Sequence, residues 1–324
     1  MTPRNIMQKT VLMLATCVAL CTPVAAIADE TVTFAALGDT PYRLPTDDAL
    51  FDRLIDRINA LDPALSIHVG DIKSGSSPCS DTTYLKVRTQ FNRFTGPLFY
   101  TPGDNEWTDC HRDGAGSFDP YERLARLRQF FFSQPTSFGL HDRTYHRQSD
   151  EGRYPLMVEN ALWTEGKVVF ATVHVVGSSN GRKRKVGPEA LYETREAANM
   201  AWLRTAFEKA MHTGAPALVI AIHANPEFRN ADKGYRRTLE ALAIGARAYG
   251  RPVLLIHGDT HTYRTDRPLH DADGHLVRNL WRLEVPGAPD VGAVIVTIDP
   301  ATSPPFSYHP ILVEDAYDAH SANR

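Results

Sequence analysis

Five apolar runs in this chain stop abruptly at turns that carry a carboxylate or an imidazole. The runs are 32–37, 65–69, 98–100, 218–222 and 253–256. Each is short, apolar and bounded by turn residues, which is the pattern of a buried strand. The turns are Gly38-Asp39-Thr40-Pro41-Tyr42, Gly70-Asp71, Gly103-Asp104-Asn105-Glu106, His223-Ala224-Asn225-Pro226 and His257-Gly258-Asp259-Thr260-His261. Between strands the apolar spacing changes to three and four residues. Leu50, Phe51, Leu54, Ile55, Ile58 and Leu61 form one core-facing stripe, with Thr46 placed to cap the helix and Pro63 to stop it. Residues 121–132, 189–212 and 236–249 predict further helices, the last ended by Gly250.

Further strands are expected at 168–176, 277–285 and 293–298. No helix follows the last two, which assigns them to a second sheet. Alternating strands and helices predict an α/β fold, a two-sheet sandwich flanked by helices. Residues 141–155 read as a polar surface excursion, and the proline-rich stretch 300–310 reads as the end of the fold, with a tail from Glu314.

Composition is that of an ordinary globular chain: 324 residues, 43% hydrophobic and 23% charged. The first segment differs. Arg4 and Lys9 precede a short apolar run that ends at Ala26-Ile27-Ala28, the pattern of a secretory signal peptide over 1–28. The expected mature chain, 29–324, is one domain that is periplasmic or secreted, with no membrane span after signal removal. Cys21 closes the apolar run, but the bulky Leu20 before it argues against lipoprotein processing. Cys17 and Cys21 leave with the leader, whereas Cys79 and Cys110 remain and read as one disulfide in an oxidising compartment.

The net charge of −3 becomes more negative once Arg4 and Lys9 are removed. A mildly acidic surface argues against nonspecific nucleic-acid binding, so no specific nucleic-acid partner is implied. One basic run, Arg182-Lys183-Arg184-Lys185, is either a loop that attracts anionic substrates or a solvated turn. Trp107, Trp163 and Trp202 read as packing, and His68 and His174 as hydrogen-bonded core groups.

Asp and His after strands are good ligands for hard and borderline metals, and open α/β sheets bind ligands at the carboxyl ends of their strands. In order and character, the five turns resemble those of the calcineurin-like metallophosphoesterases. That family's pattern is Asp-x-His, Gly-Asp, Gly-Asn-His with an acidic residue, a lone His after a strand, and Gly-His-x-His. The resemblance runs from about Thr31 to Asp266. It implies a four-layer α/β/β/α sandwich of two mixed β-sheets and a centre of two divalent or trivalent metal ions. By position, Asp39 matches the first ligand, Asp71 the bridging carboxylate, His223 the lone His and His261 the last His. Asp104 stands where the family has Asn, and Asp259 where it has the first His of the last motif. Added carboxylates shift the preference toward harder cations, Mn, Mg or Ca alongside Zn or Fe.

Two departures matter more. Pro41 stands where the first motif has a metal-binding His, and Asn105 where the family has the His that contacts the leaving group or phosphate. The first metal is left with Asp39, Asp71 and His261, and the second with Asp71, Asp104, His223 and Asp259. Tyr42, beside Pro41, is the candidate to fill the gap, while His257 and Arg112 are candidates to orient a ligand and to contact a phosphate. The resemblance implies a phosphoric ester hydrolase that attacks a small phosphomonoester or phosphodiester through a metal-bound hydroxide; Asn105 in place of the His can donate a hydrogen bond to a phosphoryl oxygen but cannot act as a general acid. Pro41 and Asn105 also motivate a second reading, a catalytically weak or inactive protein of the same fold that binds a phosphorylated or anionic ligand.

Overall fold

Both faces of the central strands are apolar, and each face is buried against a different layer. The computed structural model describes residues 31–43, 45–182 and 189–313. The signal peptide, the basic run beyond Arg182 and the tail from Glu314 lie outside the described residues.

The first sheet holds β1 (Val32–Leu37), β2 (Ser66–His68) and β3 (Leu98–Tyr100). The second contains β4 (His146–Arg147), β5 (Ala161–Glu165), β6 (Val168–Thr172), β7 (Leu218–Ala221), β8 (Val253–His257), β9 (Arg264–Asp266) and β10 (Leu280–Glu284). The chain then returns to the first sheet with β11 (Val291–Ile298) and β12 (Phe306–Val313). The strand orders are β12-β11-β1-β2-β3 and β4-β5-β6-β7-β8-β10-β9. In the first sheet β1, β2 and the edge strand β3 are parallel, with β11 and β12 antiparallel on the other side; in the second β6, β7, β8 and β10 are parallel, with antiparallel strands at both ends.

Alternation along each strand builds the layers. Phe34 and Ala36 of β1, Phe99 of β3, Phe170 of β6, Val219 of β7 and Leu254 of β8 share the core between the two sheets. Phe34 meets Phe170 edge-on at 5.4 Å between centroids, and Phe99 stacks on Trp163 at 3.6 Å. Their neighbours face outward. Ala35 and Leu37 meet α1 (Thr46–Leu61), α2 (Asp81–Phe91) and α3 (Pro120–Phe131), while Val169, Leu218 and Val253 meet the helices of the opposite layer. Before those helices comes α4 (Gly177–Asn180), a single turn that winds left-handed, and the layer itself is α5 (Glu189–Thr213) and α6 (Arg236–Tyr249). The four-layer α/β/β/α sandwich is therefore the observed fold.

Several expectations are corrected. Strands 277–285 and 293–298 do not share a sheet; β10 joins the second and β11 the first. The proline-rich stretch does not end the fold, because β12 pairs with β11 from Phe306 to Val313. Pro310 is tolerated there since β12 is an edge strand, where a missing N–H breaks no ladder on the open side. Thr46 is the first helical residue of α1 rather than its cap, and no side chain caps that end. The buried Asp47 reaches back to the preceding loop instead, accepting the backbone N–H groups of Tyr42 and Arg43 at 3.2 and 2.7 Å. The excursion 141–155 contains β4 and a 3-10 turn at Gln148–Glu151.

Candidate metal centre

All five predicted turns leave the carboxyl ends of parallel strands: β1, β2 and β3 in one sheet, β7 and β8 in the other. The sheets face each other, so the turns converge. Asp39, Asp71 and His223 form one group whose ligand atoms lie within 4.8 Å of one another, and Asp104, His223 and Asp259 form a second. His223 Nε2 lies 3.3 Å from Asp71 Oδ1, 3.7 Å from Asp104 Oδ1 and 3.8 Å from Asp259 Oδ1. His261 Nε2 lies 3.5 Å from Asp39 Oδ1. His223 is thus common to both groups, with Asp71, Asp104 and Asp259 all close to its Nε2.

Both imidazoles are aimed by their other nitrogen. His223 Nδ1–H donates to the Val69 carbonyl at 2.8 Å and His261 Nδ1–H to the Ala288 carbonyl at 2.7 Å. Each Nε2 is left facing carboxylates, the orientation that metal-binding histidines take from a backbone partner. Four of the six predicted ligands have left-handed backbones, with φ of 52° at Asp39, 55° at Asp71, 78° at Asp259 and 59° at His261. Such conformations cost on the order of 1 kcal/mol each and gather at functional sites. Close approach also dictates two glycines. A Cβ on Gly103 would lie 2.2 Å from Asp71 Oδ1, and one on Gly258 would lie 2.2 Å from Asp39 Oδ2.

The donor set fits a cation. His223 Nε2 is buried and has no hydrogen-bond partner among the described residues, although carboxylates surround it. Burial pushes the Asp39 carboxyl up to about 8, helped by Asp259 and Asp104 and opposed by His223. Burial likewise raises Asp71 well above the usual range and raises Asp259, each against the pull of His223. At Asp104, burial works upward too, but the attraction of the His223 imidazole and the Ser178 hydrogen bond prevail and hold it low. Burial disfavours charge on His223, yet Asp71, Asp104, Asp259 and Asp39 hold its imidazole well above its ordinary value. A cluster in which both buried carboxylates and an imidazole retain protons lacks positive charge, which bound metal supplies.

Asn105 is drawn into the cluster. Its backbone N–H donates to Asp71 Oδ1 at 3.1 Å, and its side-chain Nδ2 donates to Asp71 Oδ2 and, at 2.7 Å, to the Tyr42 hydroxyl. Tyr42 also meets the His261 ring edge-on at 4.8 Å. Arg112 pairs with Asp109 at 2.5 Å and reaches the same side, because a Cβ on Gly75 would lie 2.2 Å from Arg112 Nη1 and 2.7 Å from Asn105 Oδ1. His257 stands apart. Its Nδ1–H donates to the Gly258 carbonyl at 2.9 Å, and it belongs to neither ligand group. Cys79 and Cys110 are bonded, with Cα atoms 5.7 Å apart.

Several supporting contacts were not legible in the sequence, although Glu106 and Asn225 stand in the predicted turns. Glu106 Oε1 accepts from Asp71 N at 3.1 Å, Gly103 N at 2.6 Å and the Tyr100 hydroxyl at 2.8 Å, locking the second and third turns together. Ser178, in the left-handed turn, donates to Asp104 Oδ2 at 3.0 Å, and Asn225 N donates to Asp259 Oδ2 at 3.0 Å. Lys73 is fully buried near Glu106 and Asp71, and burial lowers its ammonium to about 8. Only its place two residues after Asp71 could have drawn attention to it.

No family model and no curated protein matches the chain. Among solved structures, it is similar to a dimetal phosphatase from Danio rerio at 12% identity, covering 87% of this chain and 99% of that one, with a TM-score of 0.52. Fainter likenesses, both at a TM-score of 0.48, are to GAP50, the anchor in the inner membrane complex of Plasmodium, and to a purple acid phosphatase from yellow lupin (Lupinus luteus) seeds. The first is 9% identical over 88% of this chain and 90% of that one, the second 12% identical over 89% and 52%. With its two mixed sheets between helical layers, the chain shares the fold of that dimetal phosphatase.

Proposed function

We propose that this protein is an exported, metal-dependent phosphoesterase that hydrolyses a small phosphorylated substrate. The observation that carries the reading is the orphaned Nε2 of His223 within 3.3 to 3.8 Å of three carboxylates at the carboxyl edges of two facing sheets. Asp39, Asp71 and His261 on one side, and Asp71, Asp104, His223 and Asp259 on the other, are the residues that would hold two cations. When bound, the cations supply Lewis acidity and an activated water for in-line displacement at phosphorus. The oxygen-rich donor set suits Mn, Mg or Ca as well as Zn or Fe.

The chain's own residues do the rest. Asn105 offers its amide where the phosphoryl group docks, but an amide cannot transfer a proton. The Tyr42 hydroxyl, held at 2.7 Å by Asn105, is a group able to protonate a leaving alkoxide. Arg112, 37% exposed at its side chain, carries the positive charge that orients the phosphoryl oxygens. Export is supported by the buried Cys79–Cys110 bridge, and no helix among the described residues is long and apolar enough to cross a membrane.

The deciding experiment is metal content per mature chain, with turnover of an aryl phosphoester in the same preparation, for wild type and Asp71→Asn. Two metals with turnover, both reduced at least about a hundredfold in affinity or rate by the substitution, is the expected result. Metal binding with no turnover on any phosphoester would favour the second reading, a binding protein in which Pro41 and Asn105 mark lost catalytic groups.

A further inference from the structure

Next to the ligand cluster lies a cavity of about 460 Å³ with an unusual charge balance. Arg229, Arg264, Arg267 and Arg282 line it, against only two carboxylates, Glu227 and Asp266. Asp266 is already engaged. Arg282 holds it through two hydrogen bonds of 2.7 and 2.5 Å and packs its guanidinium over Phe228 at 5.0 Å. Arg267 is also fixed, donating to the Arg278 carbonyl at 3.2 Å and lying over Trp281 at 5.3 Å. Arg264 faces Glu284 across the β9–β10 ladder. Arg229 has no carboxylate partner among the described residues. In a chain of net negative charge, this is a concave surface where cations outnumber anions, built from side chains whose planar forks suit phosphate.

The cavity is joined to the metal centre by the loops that supply its ligands. Asn225 lines the cavity, and its N–H and side chain bond to Asp259 at 3.0 Å and Thr260 at 3.1 Å. Arg264 follows His261 by three residues. Glu227, at the same wall, has a left-handed backbone with φ of 48°, a strained conformation for a glutamate. We infer that this cavity is a subsite for a second phosphate group on the substrate, so that the enzyme acts on small phosphoesters carrying two phosphates. The inference rests on the phosphoesterase reading for its catalytic half, and on the arginine cavity alone for its binding half.

Two measurements separate those halves. Chelator-stripped protein is titrated with inorganic pyrophosphate by calorimetry, as wild type, Asp71→Asn, Arg229→Ala/Arg264→Ala and Arg229→Lys. Affinity should fall about tenfold or more in the double variant, be largely kept in Arg229→Lys, and be unchanged in Asp71→Asn. A wild type that does not bind, or a double variant that binds as well as wild type, overturns the subsite. Metal-loaded enzyme is then assayed on propanediol bisphosphate against propyl phosphate. The bisphosphate should have a KM about tenfold lower, an advantage lost in the double variant. Equal KM values in wild type overturn the proposal. Absence of turnover on both substrates would count against the phosphoesterase reading, while the pyrophosphate titration still decides the subsite.

Discussion

Asn105 bears an amide, which cannot transfer a proton, and the consequence falls on Tyr42. Its backbone N–H is held by the buried Asp47, its ring is set against His261, and its hydroxyl accepts from Asn105. Burial, followed by the charge on Asp71, raises the phenol beyond its ordinary range, which suits the proposed role of Tyr42 as a proton donor. Replacing Tyr42 by Phe should lower kcat on alkyl phosphoesters by about a hundredfold while leaving aryl phosphoesters, whose leaving groups need no proton, within a few-fold of wild type. Metal content should not change. Equal losses on both substrate types would remove Tyr42 from the role of acid and leave it a packing residue beside His261.

Among the strands, those most legible in the sequence were the ones buried on both sides. Strands β1, β7 and β8 announce themselves because Phe34, Val219 and Leu254 face one core while Leu37, Leu218 and Val253 face another. The edge strand β12 did not, since one face of it is exposed and Pro310 interrupts it. Helix α2 was missed because its buried positions are few, Tyr84, Val87, Gln90 and Phe91, and one of them is polar. The ligand turns were readable because each ends a strand, whereas Ser178 and Asn225 reach the centre only through tertiary contacts. One loop pairing was also readable, and it carries a prediction. The Cys79–Cys110 bridge spans 31 residues, and its sulfurs lie 3.5 and 3.8 Å from the Asn105 carbonyl, bracing the third turn from behind. Loop closure of that length contributes about 3–4 kcal/mol. Chemical denaturation of Cys79→Ala/Cys110→Ala should show a loss of that order, and reductant should reproduce it in wild type. A midpoint that does not move would mean that the fold holds these loops without the bond.

For the molecule as a whole, the carboxylate cluster sits where two sheets meet, so its charge state couples to the stability of the entire sandwich. In metal-free protein the Asp39 carboxyl is raised from 3.8 to about 8 by burial, so between those values the folded chain holds a proton that the unfolded chain has released. Stability from this group is therefore fully present below 3.8 and is lost as pH rises through about 8. Raised carboxyls at Asp71 and Asp259, and the raised imidazole of His223, act in the same direction. Asp104 and Glu159, both held below their ordinary values, oppose it only at the acid end, where they protonate. Metal replaces those protons, so its stabilising effect should grow as they become costly to keep. The Tm of chelator-treated protein should fall steadily from about pH 5 to pH 8, and saturating manganese should restore it with a gain that is small at the acid end and large at the alkaline end. A chelated Tm that rises across this interval, or a metal gain independent of pH, would mean that the cluster is neither the proton store nor the metal seat that its buried geometry describes.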